Sequence, residues 1–274
     1  MKNIIEDKKI GLIGCGHLGS SIASALLRGG FAPERLMISC RGSAATLERA
    51  RRAGAADCIT DTASLTRAAD IVILAVKPQD MPSILGHEFK PGARIISFMA
   101  GISLAALRTF FDRDICRAMC SGPDTIESGM GISTLWHAND LAKSLLSIAG
   151  IRNLDIDAEA ELDAFTAGIC IPPIITNIKD SRAERADAMA SLARDYPVFG
   201  ELAGWIESSL AIHGGEKSAS SLENVSTKGG ISEAMISSLR SGTCLELAVR
   251  RGIERGWEIR DDIAASLAKK VAAA

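Results

Sequence analysis

The stretch Lys9-Ile10-Gly11-Leu12-Ile13-Gly14-Cys15-Gly16-His17-Leu18-Gly19 decides the fold. Its apolar head, Lys9 to Ile13, reads as a short buried strand. Leu18, Ile22, Ala25 and Leu26 then recur at helical spacing, and Gly29-Gly30 supplies the stop. Between strand and helix, Gly14, Gly16 and Gly19 spell G-x-G-x-x-G, with His17 and Leu18 in the variable places. That pattern is weak alone and gains meaning from the strand before it and the helix after it. Gly14 permits the tight turn, Gly16 lets a backbone approach a pyrophosphate, and Gly19 lets the helix pack close to the strand. The helix N-terminus offers unpaired N–H groups and partial positive charge to phosphate. The competing reading is a purely structural glycine turn.

Outward from this motif, β-rich runs alternate with helical patterns. Leu36 to Ser39 reads as a second strand and Ala44 to Ala53 as a helix closed by Gly54. A short strand is expected near Cys58 to Thr60. Ile71 to Val76, Arg94 to Phe98 and Ile115 to Met119 follow as strands, and Met130 to Leu135 closes the sheet. Strands spaced by helices predict a parallel sheet covered on both faces. After Asp157 the β-like runs vanish. Helical stripes appear at Leu162, Phe165, Thr166 and Ile169; at Leu202, Trp205, Ile206 and Ile212; at Ile231, Ala234, Met235 and Leu239; and at Ile263, Leu267 and Val271. Pro172-Pro173 should bend or break the first of these helices. The fold class is therefore α/β: a Rossmann dinucleotide-binding domain over residues 1–157, then an all-helical domain over 158–274. Trp205 and Met235 are candidate interface residues, although packing within one subunit is the commoner use of such positions.

The chain has 274 residues, 31 Lys plus Arg and 33 Asp plus Glu, so its formal net charge is -2. That balance argues against a nucleic-acid partner or an anionic membrane surface. No apolar run reaches the roughly 18 residues of a membrane span. The start of the chain does not read as a secretory signal. Seven cysteines, an odd number without a Cys-x-x-Cys pair, suggest reduced thiols in a cytoplasmic protein and no metal site.

The second strand bears on which dinucleotide binds. An NAD-preferring site usually ends this strand with Asp or Glu for the ribose hydroxyls. Here the chain runs Ser39-Cys40-Arg41-Gly42-Ser43, and Arg41 stands 22 positions after Gly19. Arg41 and Ser43 could hold a 2′-phosphate, which favours NADPH over NADH. The competing reading leaves Arg41 as a solvated loop residue. Several reductase mechanisms drop out. The single tyrosine, Tyr196, has Gly200 four places on, where a Tyr-x-x-x-Lys acid pair needs lysine. Asn177 has Pro173 four places before it, where a 6-phosphogluconate-type dehydrogenase needs lysine. Zinc ligands are lacking. A substrate that brings its own reactivity remains, such as a protonated imine, which needs mainly alignment and a carboxylate site. Lys228-Gly229-Gly230-Ile231-Ser232, at the start of a helical stripe, suits an anion, with Ser232 adding a hydroxyl. An ordinary glycine turn is the competing reading.

Gly14-x-Gly16-x-x-Gly19, Ala75-Val76-Lys77-Pro78-Gln79 and Met99-Ala100-Gly101-Ile102-Ser103, in that order, resemble pyrroline-5-carboxylate reductase. So do Arg117-Ala118-Met119, Ala164-Phe165-Thr166-Ala167, and Asn224-Val225-Ser226 with Gly229-Gly230. The resemblance spans nearly the whole chain. It implies a C-terminal helical dimerisation domain, reduction of a cyclic imino acid by NAD(P)H, and assembly as homodimers or rings of dimers. It implies that Ala75, Val76, Lys77, Pro78, Met99, Ala100 and Gly101 line the cofactor. It places the catalytic hydroxyl at Ser232 and substrate contacts at Gly229, Gly230, Ile231, Ile171 and Pro173. The chain departs from the family pattern in three places. His17 replaces an asparagine in the fingerprint, and Met119-Cys120-Ser121-Gly122-Pro123 loses an amide. Ile169-Cys170-Ile171-Pro172-Pro173 replaces a small, polar Ser-Gly-Ser-Gly-Pro run. The implied reaction is 1-pyrroline-5-carboxylate to proline. A divergent imine reductase of specialised metabolism and a non-catalytic NADPH-binding protein remain as alternatives.

Overall fold

The computed structural model describes residues 4, 5, 7–176, 182–213 and 228–272, the last six in backbone only. Asn177, Asn224, Val225, Ser226 and Thr227 lie outside that set, as do the side chains of Leu267 and Val271. The first half runs β1 (Ile10–Ile13), α1 (His17–Arg28), β2 (Leu36–Ser39), α2 (Ala44–Arg52), α3 (Thr62–Ala68), β3 (Ile71–Leu74) and β4 (Arg94–Ser97). It continues with α4 (Leu104–Phe110), β5 (Ile115–Cys120), α5 (Pro123–Glu127), β6 (Ile132–Trp136), α6 (Asp140–Ile148) and β7 (Arg152–Leu154). Among the described residues these strands form one seven-stranded sheet in the order β2-β1-β3-β4-β5-β6-β7.

Strand residues alternate between the two faces, as a doubly covered sheet requires. Ile71 and Ile73 pack with Leu12, Ile22 and Leu26 under α1 and α6. Val72 and Leu74 pack with Leu65, Ile95 and Leu107 under α3 and α4. The expected parallel order holds from β2 through β5, and β6–β7 are parallel to each other. The β5–β6 pair, however, is antiparallel, with Met119 opposite Thr134. A parallel return needs a crossover of about a dozen residues or more built on a substantial helix. The 121–131 connection holds only the short α5. The strand expected at Cys58–Thr60 is reduced to one bridge between Ile38 and Ile59. A 3-10 turn over Ala56–Cys58 precedes it, and Asp61 follows at once, capping α3 through the Ser64 N–H at 2.8 Å. β7 was not foreseen, because Arg152 and Asn153 carry no apolar signal.

The second half is helical: α7 (Glu161–Ile169), α8 (Ile171–Ile175), α9 (Arg182–Asp195), α10 (Val198–His213), α11 (Ile231–Arg240) and α12 (Leu245–Ala272). The helix breaks at Cys170, and Pro172 sits in the first turn of α8, where its missing N–H costs nothing. Phe165 and Phe199 are fully buried between α7 and α10. Trp205 and Met235 are core residues of this chain. The Trp205 Nε1–H donates to the Met130 carbonyl at 2.8 Å, which ties α10 to the approach to β6. α9 escaped the sequence reading because it buries only Ala188, Met189 and Leu192 among its side chains and otherwise reads as polar. Among the described residues no helix is long and apolar enough to cross a membrane. All seven cysteines are free thiols.

Candidate active site

The glycine fingerprint forms a cradle at the end of β1. Gly14 adopts φ +104°, a region that side chains disfavour, and a Cβ there would lie 2.6 Å from the Ala75 carbonyl oxygen. A Cβ on Gly19 would overlap the Gly14 carbonyl oxygen, so this glycine sets the distance between helix and turn. A Cβ on Gly16 would meet nothing, which leaves that side of the turn open to a ligand. Ala75 and Val76 border the turn: both would touch a Cβ at Gly14. The first turn of α1 contains no acidic residue and no capping side chain. His17 stands in that turn, its Nε2 3.1 Å from the Arg49 guanidinium. Positive charge therefore gathers where a phosphate would meet the N–H groups.

Arg41 is exposed in the loop after β2. The sequence places no carboxylate beside it, but the fold does: Asp80, in the 3-10 turn Pro78–Ser83, has Oδ1 3.3 Å from Arg41 Nη1. The Ser43 hydroxyl serves as the cap of α2. It accepts from the Thr46 N–H at 3.3 Å and shares a 2.8 Å hydrogen bond with the Thr46 hydroxyl.

A cavity of about 390 Å³ lies where the two halves of the chain meet. Pro78, Ala100 and Gly101 line one side, and Gly229, Gly230, Ile231 and Ser232 line another. These residues are far apart in sequence, and the fold gathers them. α7 contributes Leu162, Asp163, Thr166 and Cys170, α12 contributes Gly256, Ile259 and Ile263, and β5 contributes Arg117 and Met119. Lys77 is exposed beside the cavity without lining it, and Met99 is buried in the sheet core. Ile171 and Pro173, expected at the substrate, are instead buried in the helical core. Thr166 and Cys170 are four residues apart and share the helix face toward the cavity, whereas Ile171 is turned about 100° from that face.

Four charged residues support the cavity and were not read from the sequence as a set. Arg117, 3% exposed, donates from Nη1 to Glu159 Oε1 at 2.6 Å, and the same oxygen accepts from the Leu104 N–H at 2.7 Å. Arg260 Nη1 donates to Asp163 Oδ2 at 3.0 Å. Arg117 Nε is buried without a hydrogen-bond partner. Burial raises the Asp163 pKa; Arg260 and Arg117 oppose that shift, and Glu159 reinforces it. Cys170, beside Asp163 on the cavity wall, is pushed up to about 12 by burial, so it is no thiolate nucleophile. The available signal was an aspartate, Asp163, inside the otherwise apolar stripe of α7. At the opposite wall, the Gly229 N–H donates to Glu233 Oε2 at 2.6 Å and the Gly229 carbonyl accepts from Arg255 Nε at 2.9 Å. One of the two glycine N–H groups expected to meet an anion is thus already paired. What remains for an anion is the first turn of α11, which opens without a capping side chain but carries Glu233, engaged by the Gly229 N–H.

The family model described as "NADP oxidoreductase coenzyme F420-dependent" matches residues 9–101. The pyrroline-5-carboxylate reductase of Pseudomonas aeruginosa is 32% identical over 174 residues, covering 58% of this chain and 61% of that protein. Pyrroline-5-carboxylate reductase 2 of Bacillus subtilis is 24% identical over 268 residues, covering 90% of this chain and 95% of that one. Over these stretches the chain is similar to pyrroline-5-carboxylate reductases. Solved pyrroline-5-carboxylate reductases share its fold. The Plasmodium falciparum structure with NADP bound superposes with a TM-score of 0.58 at 19% identity, covering 93% of this chain and 99% of that one. The Streptococcus pyogenes structure gives 0.57 at 23%, covering 92% and 98%. The alignment to the Pseudomonas protein spans only about three fifths of that protein's length.

Proposed function

We propose that the protein is an NADPH-dependent reductase of a cyclic imino acid, most simply of 1-pyrroline-5-carboxylate to proline. One observation carries this reading: a single cavity joins the loops of the nucleotide fold, at Pro78, Ala100 and Gly101, to the helix N-terminus at Gly230–Ser232. The open cradle at Gly16 and the uncapped, acid-free first turn of α1 fit a dinucleotide pyrophosphate. NADPH, when bound, supplies hydride to the C=N bond. The chain's own residues bind, orient and exclude water. The start of α11 receives the substrate carboxylate, and the Ser232 hydroxyl meets the ring nitrogen. Leu162, Ile231, Ile259 and Ile263 close an apolar wall around the ring. That wall, with Met119, also favours the second reading, a divergent imine reductase for a more apolar imine. On either reading residues 1–157 hold the nucleotide and residues 158–274 form the substrate and dimerisation part. The protein is then a cytoplasmic homodimer or ring of dimers, and a monomeric mass in light scattering would count against that assembly.

NADPH oxidation measured with 1-pyrroline-5-carboxylate and with a panel of other cyclic imines tests the proposal. Turnover of the first at ordinary enzyme rates supports it. Turnover of another imine alone selects the second reading, and NADPH binding without turnover of any imine overturns both. Ser232→Ala should lower kcat/KM about tenfold, the size of one lost hydrogen bond to a polar reacting group, and leave NADPH affinity nearly unchanged. Full activity in that variant removes Ser232 from the site. Arg41→Asp sets a second carboxylate beside Asp80 and should raise KM for NADPH relative to NADH by about tenfold or more. An unchanged ratio refutes the role of Arg41 and the cofactor preference with it.

A further inference from the structure

We propose that Asp163 is a catalytic acid that delivers a proton to the imine nitrogen. This deepens the reductase reading and rests on it. The sequence had pointed to a reaction in which the substrate arrives already protonated, and the cavity contains a group that makes this unnecessary. Asp163 lines the same cavity as Ser232, Ala100 and Gly101, yet its residue is only 8% exposed. Its Oδ2 is held by Arg260, which fixes the carboxyl plane. Its Oδ1 lies on the side of Gly256, where a Cβ would stand only 3.2 Å from it. The glycine at 256 therefore keeps space open beside this one oxygen.

The charges around the carboxyl suit the role. Arg260 on α12 and Arg117 on β5 face it as cations, Glu159 ahead of α7 faces it as an anion, and Lys228 lines the cavity opposite. Burial outweighs the two arginines, so the carboxyl keeps its proton to higher pH than an ordinary aspartate. A neutral imine is a poor hydride acceptor, and a buried carboxyl that holds its proton more firmly than an ordinary aspartate stands where it can supply one.

The imine nitrogen takes the proton from Asp163 Oδ1, the C=N carbon accepts hydride from the reduced nicotinamide, and the π electron pair of the C=N bond becomes the lone pair of the amine. The products are a secondary amine, the oxidised nucleotide and an Asp163 carboxylate, which recovers its proton from solvent.

The experiment compares Asp163→Asn with the wild type on two substrates. One is the neutral cyclic imine that the wild type reduces. The other is its N-methyl iminium counterpart, which carries a fixed positive charge and needs no proton. With the acid assigned correctly, the variant loses about a hundredfold in kcat/KM on the imine and under about threefold on the iminium. Equal loss on both, or loss on neither, overturns the assignment. Two measurements stand apart from turnover. NADPH affinity must be retained, which shows a folded variant. The infrared carbonyl stretch of a protonated carboxyl must persist in the wild type to higher pH than an ordinary aspartate allows and must vanish in Asp163→Asn; a wild-type band that appears only where an ordinary aspartate titrates also overturns the proposal. A wild type that reduces no imine sinks the reductase reading, while the infrared band still reports on Asp163. Because the acid must be protonated to act, wild-type turnover of the imine falls as pH rises through the raised Asp163 pKa. Gly256→Ala, which crowds Oδ1, should lower imine turnover while NADPH binding persists.

Discussion

Replacing Gly19 by alanine is expected to destabilise the protein by about 3 kcal/mol and to weaken NADPH binding at least tenfold. The added methyl overlaps a backbone oxygen, that of Gly14, with the Ala75 side chain close behind. A backbone oxygen cannot swing aside as the end of a flexible side chain can. Either α1 lifts from β1 or the turn at Gly14 deforms, and Gly14 is already committed to φ +104°. Lifting α1 disturbs Ile22 and Leu26, both fully buried against Leu12. It also moves the helix N-terminus away from the place where a pyrophosphate would sit. Thermal melts and NADPH fluorescence titration read the two effects. Gly16→Ala is the control, because its methyl meets no protein atom; it should leave stability nearly unchanged and reduce NADPH affinity alone. If Gly19→Ala melts with the wild type, the close approach of helix and turn does not govern this fold.

The second large effect is expected at Arg117. Arg117→Met should cost about 3 kcal/mol, the lower end of what breaking a buried ion pair costs. The arginine side chain is almost wholly enclosed, whereas Glu159 is 25% exposed and can recover some hydration once its partner is gone. The Leu104 N–H continues to donate to Glu159 and limits the loss further. Removal of Arg117 also deletes one of the two cations that restrain the Asp163 carboxyl, so that pKa moves still higher. Denaturant unfolding of Arg117→Met, Glu159→Gln and the double variant reads the pair as a cycle. The double variant should be less destabilised than the sum of the two single variants by about 1 kcal/mol or more. Strict additivity would mean that the two side chains act independently despite their 2.6 Å contact.

The sheet and the fingerprint were legible because their signals are local. A four-residue apolar run, a glycine spacing and a helical stripe are each contained within about 20 residues of sequence. The chain direction at β6 was not legible, since it depends on how little helix residues 121–131 can hold. β7 and α9 were missed because their residues are mostly polar and pack at edges, where composition gives no periodic signal. The candidate site divided in the same way. Gly229 to Ser232 could be named in advance because paired glycines ahead of a helical stripe mark an open helix N-terminus, whereas Pro78, Ala100 and Gly101 came only from the resemblance to pyrroline-5-carboxylate reductase. Ile171 and Pro173 were misplaced by one face of a helix, which a spacing argument cannot resolve when a proline break intervenes. The pairing of Arg41 with Asp80 and the meeting of Arg117, Glu159, Asp163 and Arg260 arise only from tertiary packing, with partners 39 to 97 positions apart.

The turn at Gly229 has a consequence for the kinetics of binding. Both of its peptide groups are engaged by side chains of the chain itself, the N–H by Glu233 and the carbonyl by Arg255, and Arg255 is in turn held by Glu258 at 2.7 Å. Gly229 itself takes φ +73°, which a glycine adopts without strain. The loop therefore meets its ligand already shaped, and association does not have to supply the entropy of ordering it, about 1 kcal/mol for each backbone residue left free. On the proposed reductase reading, a preorganised wall spends little of the ring's binding energy on ordering itself. Selectivity between rings of different size then lies in how fast the wrong one leaves.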